Sequence, residues 1–131
     1  MSFTLSLFHR QILFIDAAVS GVAGLLMVGG APFLSPLLGL PENLLFWAGV
    51  ALFPFVAFLT AVARRGQASR VVMIDIIAIN GLWVAASFGL LASGAVAPTL
   101  LGYAFVAAQA LAVALLSGLQ FVGLRRTMAN A

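Results

Sequence analysis

The chain has 131 residues, of which 64% are hydrophobic and 7% charged, with a formal net charge of +3 and a mean hydropathy of +1.22. Soluble domains carry about 25% charged residues and disordered chains are poor in apolar ones, so both classes are excluded and a membrane protein remains. The absence of cysteine removes disulfides, thiolate metal sites and iron–sulfur clusters, a single histidine excludes paired-histidine haem ligation, and six arginines cannot form a broad nucleic-acid face.

Taken in chain order, the first element is a short segment in which Phe3 and Phe8 flank His9 and Arg10. It reads as resting on the membrane surface, with His9 solvated. The first apolar span covers residues 11–30 and is too long for a signal-peptide core. Residues 31–43 follow, with Pro32, Pro36, Gly39 and Pro41. These breakers predict an interfacial connection instead of helix.

Pro41-Glu42 opens the second span, 44–63, in which Trp47 reads as an interface anchor and Pro54 as a kink. Arg64, Arg65, Gly66 and Arg70 mark a turn before the third span, 71–93. Gly94 to Pro98 forms the last turn, before a fourth span over 98–122 with Tyr103 near its start. Each span holds about 20 residues, and at 1.5 Å per residue that crosses a hydrocarbon core about 30 Å thick. Lipid offers the backbone no partners, so the spans are helices. The expected fold is an all-α membrane protein, a single domain over 1–131 forming a four-helix up-and-down bundle.

Arginines lie only before the first span, between the second and third, and after the fourth. The positive-inside rule therefore puts both termini of this multi-pass protein in the cytoplasm. The halves 10–65 and 70–126 also look duplicated. Ile15-Asp16 recurs as Ile74-Asp75, Ser20-Gly21 as Asn80-Gly81, and Arg64-Arg65 as Arg125-Arg126.

Ionisable groups within spans are the first candidates for chemistry. Asp16 and Asp75 lie about 8 Å inside the arginine-bearing boundary. Own-helix pairing is poor at spacings of five and six, so crossed structural ion pairs are expected, Asp16 with Arg70 and Asp75 with Arg10. A polar pocket is expected from Asp16, Ser20, Asp75, Asn80, Trp83 and Gln109. Gln109 and Gln120, eleven apart, share one face of the fourth span.

Small residues at spacing four predict close helix packing. Gly21 and Gly24 serve the first span in this way. Ala110, Ala114 and Gly118 serve the fourth, beside a second row of Ala104, Ala108 and Ala112 that leaves a face for another subunit. No catalytic constellation, metal set or phosphate-binding loop is present, so neither enzyme chemistry nor a cofactor is expected.

The runs Ile79-Asn80-Gly81-Leu82-Trp83, Val96-Ala97-Pro98-Thr99-Leu100-Leu101-Gly102 and Phe105-Val106-Ala107-Ala108-Gln109-Ala110 resemble small four-helix inner-membrane proteins widespread in bacteria. That resemblance implies topology and no activity. Asp16 is similar in place to the first-helix carboxylate of small multidrug resistance transporters, but theirs is a deeper glutamate, and one-sided arginines oppose the dual topology common among them. The glycine–arginine signature of double-barrelled fluoride channels has no match here.

The expected function is binding, without catalysis, of a lipid-like hydrophobic small molecule or a membrane-protein partner. The alternative is an oligomeric small-solute or ion transporter or channel using Asp16 and Asp75. The expected partners are the lipid bilayer and a homo-oligomer or other membrane protein, and not nucleic acid.

Overall fold

The structure, a computed structural model, describes residues 2–129 and the side-chain surroundings of residues 4–126. Four helices dominate it: α1 (Leu7–Leu38), α2 (Glu42–Arg65), α3 (Arg70–Ser93) and α4 (Leu100–Ala129). All four are long and apolar enough to cross a membrane, as the hydropathy pattern requires of a multi-pass membrane protein. They run up and down. α1 packs along α2, α3 along α4, and the two hairpins meet through α1 and α4. Among the described residues α2 and α3 scarcely touch, which leaves a seam between them.

One end of the bundle gathers the arginines and is tied together by short-range devices. Strand β1 (Ser2–Thr4) pairs antiparallel with β2 (Gln67–Ser69), with Phe3 opposite Ala68. The Leu5 amide then donates to the Gly66 carbonyl at 2.8 Å. Ser6 caps α1 through the His9 amide, and Ser69 caps α3 through the Val72 amide, each at 3.1 Å. The N-terminal segment thus folds over the α2–α3 turn as a strand. His9, expected in solvent, is 1% exposed and lies against Gly123 of α4. A Cβ at Gly123 would collide with the imidazole, so the glycine makes room for that ring.

At the opposite end the proline-rich segment departs from the sequence reading. α1 continues through Pro32 and Pro36 as far as Leu38. Each proline removes one backbone donor, and the two are a turn apart, so the freed carbonyls of Val28 and Pro32 fall on one side. The remaining residues keep their helical bonds, and Ala31 and Leu38 are buried. Gly39 ends the helix. Its φ of 69° is left-handed, and its amide donates to the Ser35 carbonyl at 2.9 Å. The α3–α4 turn docks on this end. The Thr99 amide and hydroxyl donate to the carbonyls of Leu38 and Leu37 at 3.0 and 2.8 Å. Thr99 Oγ1 also accepts from the Gly102 amide at 3.1 Å and so caps α4.

Two apolar cores fill the bundle. Leu13, Leu59, Met73, Ile76 and Leu124 pack at the arginine end, and Met27, Leu38, Leu45, Leu52 and Val106 at the other. The hairpin α1/α2 closes tightly where Gly24 meets Gly49. A Cβ on Gly49 would lie 2.9 Å from Met27 Cβ and 3.0 Å from the Gly24 carbonyl oxygen. Gly24 therefore packs as its spacing suggested. Gly21 is looser, since a Cβ there would find only Val56 nearby, at 3.8 Å.

The small-residue row on α4 does not form one interface. Ala110 is fully buried, but Ala114 and Gly118 are exposed. Positions four apart advance by 400° at 100° per residue, so a row of three drifts by about 80° and leaves the helix contact.

Candidate functional site

Asp16 is wholly buried, one turn above Leu13 on α1. Its Oδ2 accepts from Asn80 Nδ2 of α3 at 2.8 Å and from Gln120 Nε2 of α4 at 2.7 Å. Its Oδ1 accepts from Ser20 Oγ at 3.3 Å, one turn along α1. Asn80 Nδ2 is also 3.2 Å from Gln120 Oε1. One carboxylate thus joins three helices through neutral donors. Stray polar groups inside an apolar bundle are costly, and here each side chain supplies what its neighbour lacks.

The crossed ion pairs expected from the sequence are replaced by these bonds. Asp16 meets amides and a hydroxyl where Arg70 was expected. Arg10 Nε donates to the Ala63 carbonyl at 3.0 Å where Asp75 was expected. Asp75 itself is exposed, outside the cluster, and Arg70 lies on the surface. Asp16 and Asp75, which the sequence reading sets in correspondence, therefore have opposite surroundings, while Ser20 and Asn80 converge on the Asp16 carboxylate. Gln120 was legible as an inward residue from its spacing to Gln109, but nothing in the sequence showed that it would complete the Asp16 cluster.

A second polar group lies beyond the first, in the seam. Trp83 Nε1 donates to Gln109 Oε1 at 2.7 Å, Gln109 Nε2 donates to Ser87 Oγ at 3.1 Å, and the Ser87 hydroxyl donates to the Trp83 carbonyl at 2.7 Å. Two adjoining cavities, of about 310 and 180 Å³, occupy the seam and share Ala23, Trp83 and Gln109 in their walls. The larger is apolar, with Met27, Leu45, Leu90 and Phe105 among its lining. The smaller reaches Ser20 and Asn80, the outer members of the Asp16 cluster.

No protein-family model, curated protein or solved structure matches this chain. The site therefore has to be read from its own chemistry. Towards the arginine end it is closed by Leu13, Met73 and Ile76, none of which is exposed at all. Its opening lies sideways, between α2 and α3. Among the described residues no three His, Asp or Glu gather as metal ligands. What the seam offers is an apolar slot ending in hydroxyl, amide and indole groups. Such a slot discriminates by shape along its length and by hydrogen bonding at its end.

The sequence reading places Asp16, Ser20, Asp75, Asn80, Trp83 and Gln109 together; the structure leaves Asp75 exposed and apart, and gathers the other five. Four of these touch the cavities directly, and Asp16 stands behind Ser20 and Asn80.

Proposed function

We propose that this chain is a non-catalytic membrane protein that binds a slender amphipathic molecule, lipid-like in character, in the seam between α2 and α3. The observation that supports this is the pair of adjoining cavities, apolar along Met27, Leu45 and Phe105 and polar where they reach Ser20, Asn80 and Gln109. Volumes of this size suit one chain or ring system with a small neutral polar end, and lateral entry lets the molecule pass from the bilayer without crossing water. In this reading the arginine end faces the cytoplasm of a bacterial inner membrane, with both termini inside. The matching motifs of the two halves reflect a duplicated hairpin.

The chain has two tryptophans, and Trp83 lines both cavities while Trp47 is 63% exposed. Trp47→Phe therefore isolates the reporter in the seam. A long-chain alcohol brominated at mid-chain should quench Trp83 emission with saturation. Ala86→Phe, which fills the larger cavity from α3, should abolish the saturable component. Quenching that rises without limit and is unchanged by Ala86→Phe refutes the binding reading.

A second reading rests on Asp16, a buried carboxylate beside the seam. It makes the protein an oligomeric transporter of a cation or proton. Proton flux into liposomes that is lost in Asp16→Asn, with Trp83 quenching intact, would favour it over simple binding.

A further inference from the structure

A separate groove of about 570 Å³ lies on the outer face of the α3/α4 hairpin, at the arginine end. Arg70, the first residue of α3, and Arg125, near the end of α4, stand at its mouth, and Ile74, Ile77, Phe121 and Leu124 line it. The Arg125 guanidinium carbon is 5.9 Å from the centre of the Phe121 ring, so the cation is held over the groove's aromatic edge. Among the described residues the lining contains two guanidinium groups and no carboxylate.

The groove has a direction. Ile74 and Ile77 lie about 6 and 10 Å further along α3 than Arg70, and Phe121 lies about 6 Å inside Arg125 on the antiparallel α4. Charge therefore sits at the membrane boundary and apolar surface runs inward from it. A free phosphate ion would leave that apolar length unused, and an uncharged hydrophobe would leave the guanidiniums unused. A zwitterionic lipid would bring an ammonium group to a mouth with no carboxylate to receive it.

We infer that this groove binds a phospholipid of net negative charge, its phosphate between Arg70 and Arg125 and one acyl chain along Ile74, Ile77 and Phe121. Guanidinium groups suit a phosphate because their planar N–H forks match its oxygens. The site is distinct from the seam between α2 and α3.

The protein, in micelles containing phosphatidylglycerol and phosphatidylcholine, can be titrated by native mass spectrometry. Wild-type protein should retain phosphatidylglycerol in preference to phosphatidylcholine. Arg70→Gln with Arg125→Gln should weaken that retention about 30-fold, while Arg64→Gln with Arg65→Gln, which removes the same charge elsewhere, should change it less than about twofold. Ala78→Trp, which keeps both arginines and fills the slot, should also displace the lipid, and it carries the test if the double variant does not fold. Millimolar inorganic phosphate should not compete. Equal losses in the two double variants would reduce the effect to general surface charge and overturn the inference. So would equal retention of both lipids, undiminished binding in Ala78→Trp, or displacement by phosphate alone.

Discussion

Replacing Asp16 separates the charge of the buried cluster from its hydrogen bonds. In Asp16→Asn, the side-chain oxygen can still accept from Asn80 and Gln120, which both donate to Oδ2. The new amide then faces Ser20, whose hydroxyl can turn from donor to acceptor across the same 3.3 Å. All three connections survive, and burial of a charge is relieved, so a stability change under about 1 kcal/mol is expected. Asp16→Leu keeps the branching of the side chain, with bulkier methyl groups, but leaves donors of Asn80 and Gln120 without their acceptor. Two unsatisfied buried donors at about 1–3 kcal/mol each give about 2–6 kcal/mol, and the weaker average of membrane hydrogen bonds, about 0.6 kcal/mol, places the outcome near the lower end. Asp75→Leu, at an exposed position, serves as the control. Reversible unfolding in mixed micelles, followed by circular dichroism, measures all three. If Asp16→Leu matches wild type, or if Asp16→Asn is as damaging as Asp16→Leu, the cluster does not hold the helices together in the way argued.

Two other predictions concern glycines. Gly49→Ala should destabilise by about 1–2 kcal/mol, because its methyl group meets Met27 Cβ and the Gly24 backbone, whereas Gly118→Ala, with nothing within 4 Å, should stabilise by up to about 1 kcal/mol through helix propensity. Parallel thermal melts decide both signs. Gly123→Ala should displace His9 and cost about 1–3 kcal/mol, and His9→Ala in the same chain should recover part of that loss in a double-mutant cycle.

Much of the fold is legible in the sequence because lipid enforces it. Span number, approximate length and alternation of direction all follow from hydropathy and backbone satisfaction. The α1 boundary is not legible, because proline breaks helices in water more readily than here. In an apolar helix flanked by packed neighbours two prolines remove two bonds, and Gly39, with its left-handed φ, is the true terminator. The inward faces of Gln109 and Gln120 are readable from their spacing of eleven. Their partners are not, since spacing gives a face on one helix and says nothing of rotation between helices. Gly49 escapes for a related reason. Its value lies in the α1 backbone opposite, not in any repeat on α2. The surface position expected of His9 fails because a neighbouring arginine is compatible with either side of the chain, and only the packing of α1 on α4 decides between them.

The pattern of helix contacts also has a mechanical consequence. α1 and α4 are bonded near both ends, through Asp16 and Gln120 at one and through Leu38 and Thr99 at the other. Among the described residues α2 and α3 are joined only by the short turn at the arginine end, and they scarcely touch elsewhere. The molecule is therefore two closely packed flaps, the α1/α2 and α3/α4 hairpins, hinged along the line where α1 meets α4. Rocking one flap against the other about that line widens the gap between α2 and α3 furthest from the turn and leaves both hairpins packed. Motions of this kind occur on microsecond to millisecond timescales, and they would set how fast a molecule enters or leaves between the flaps.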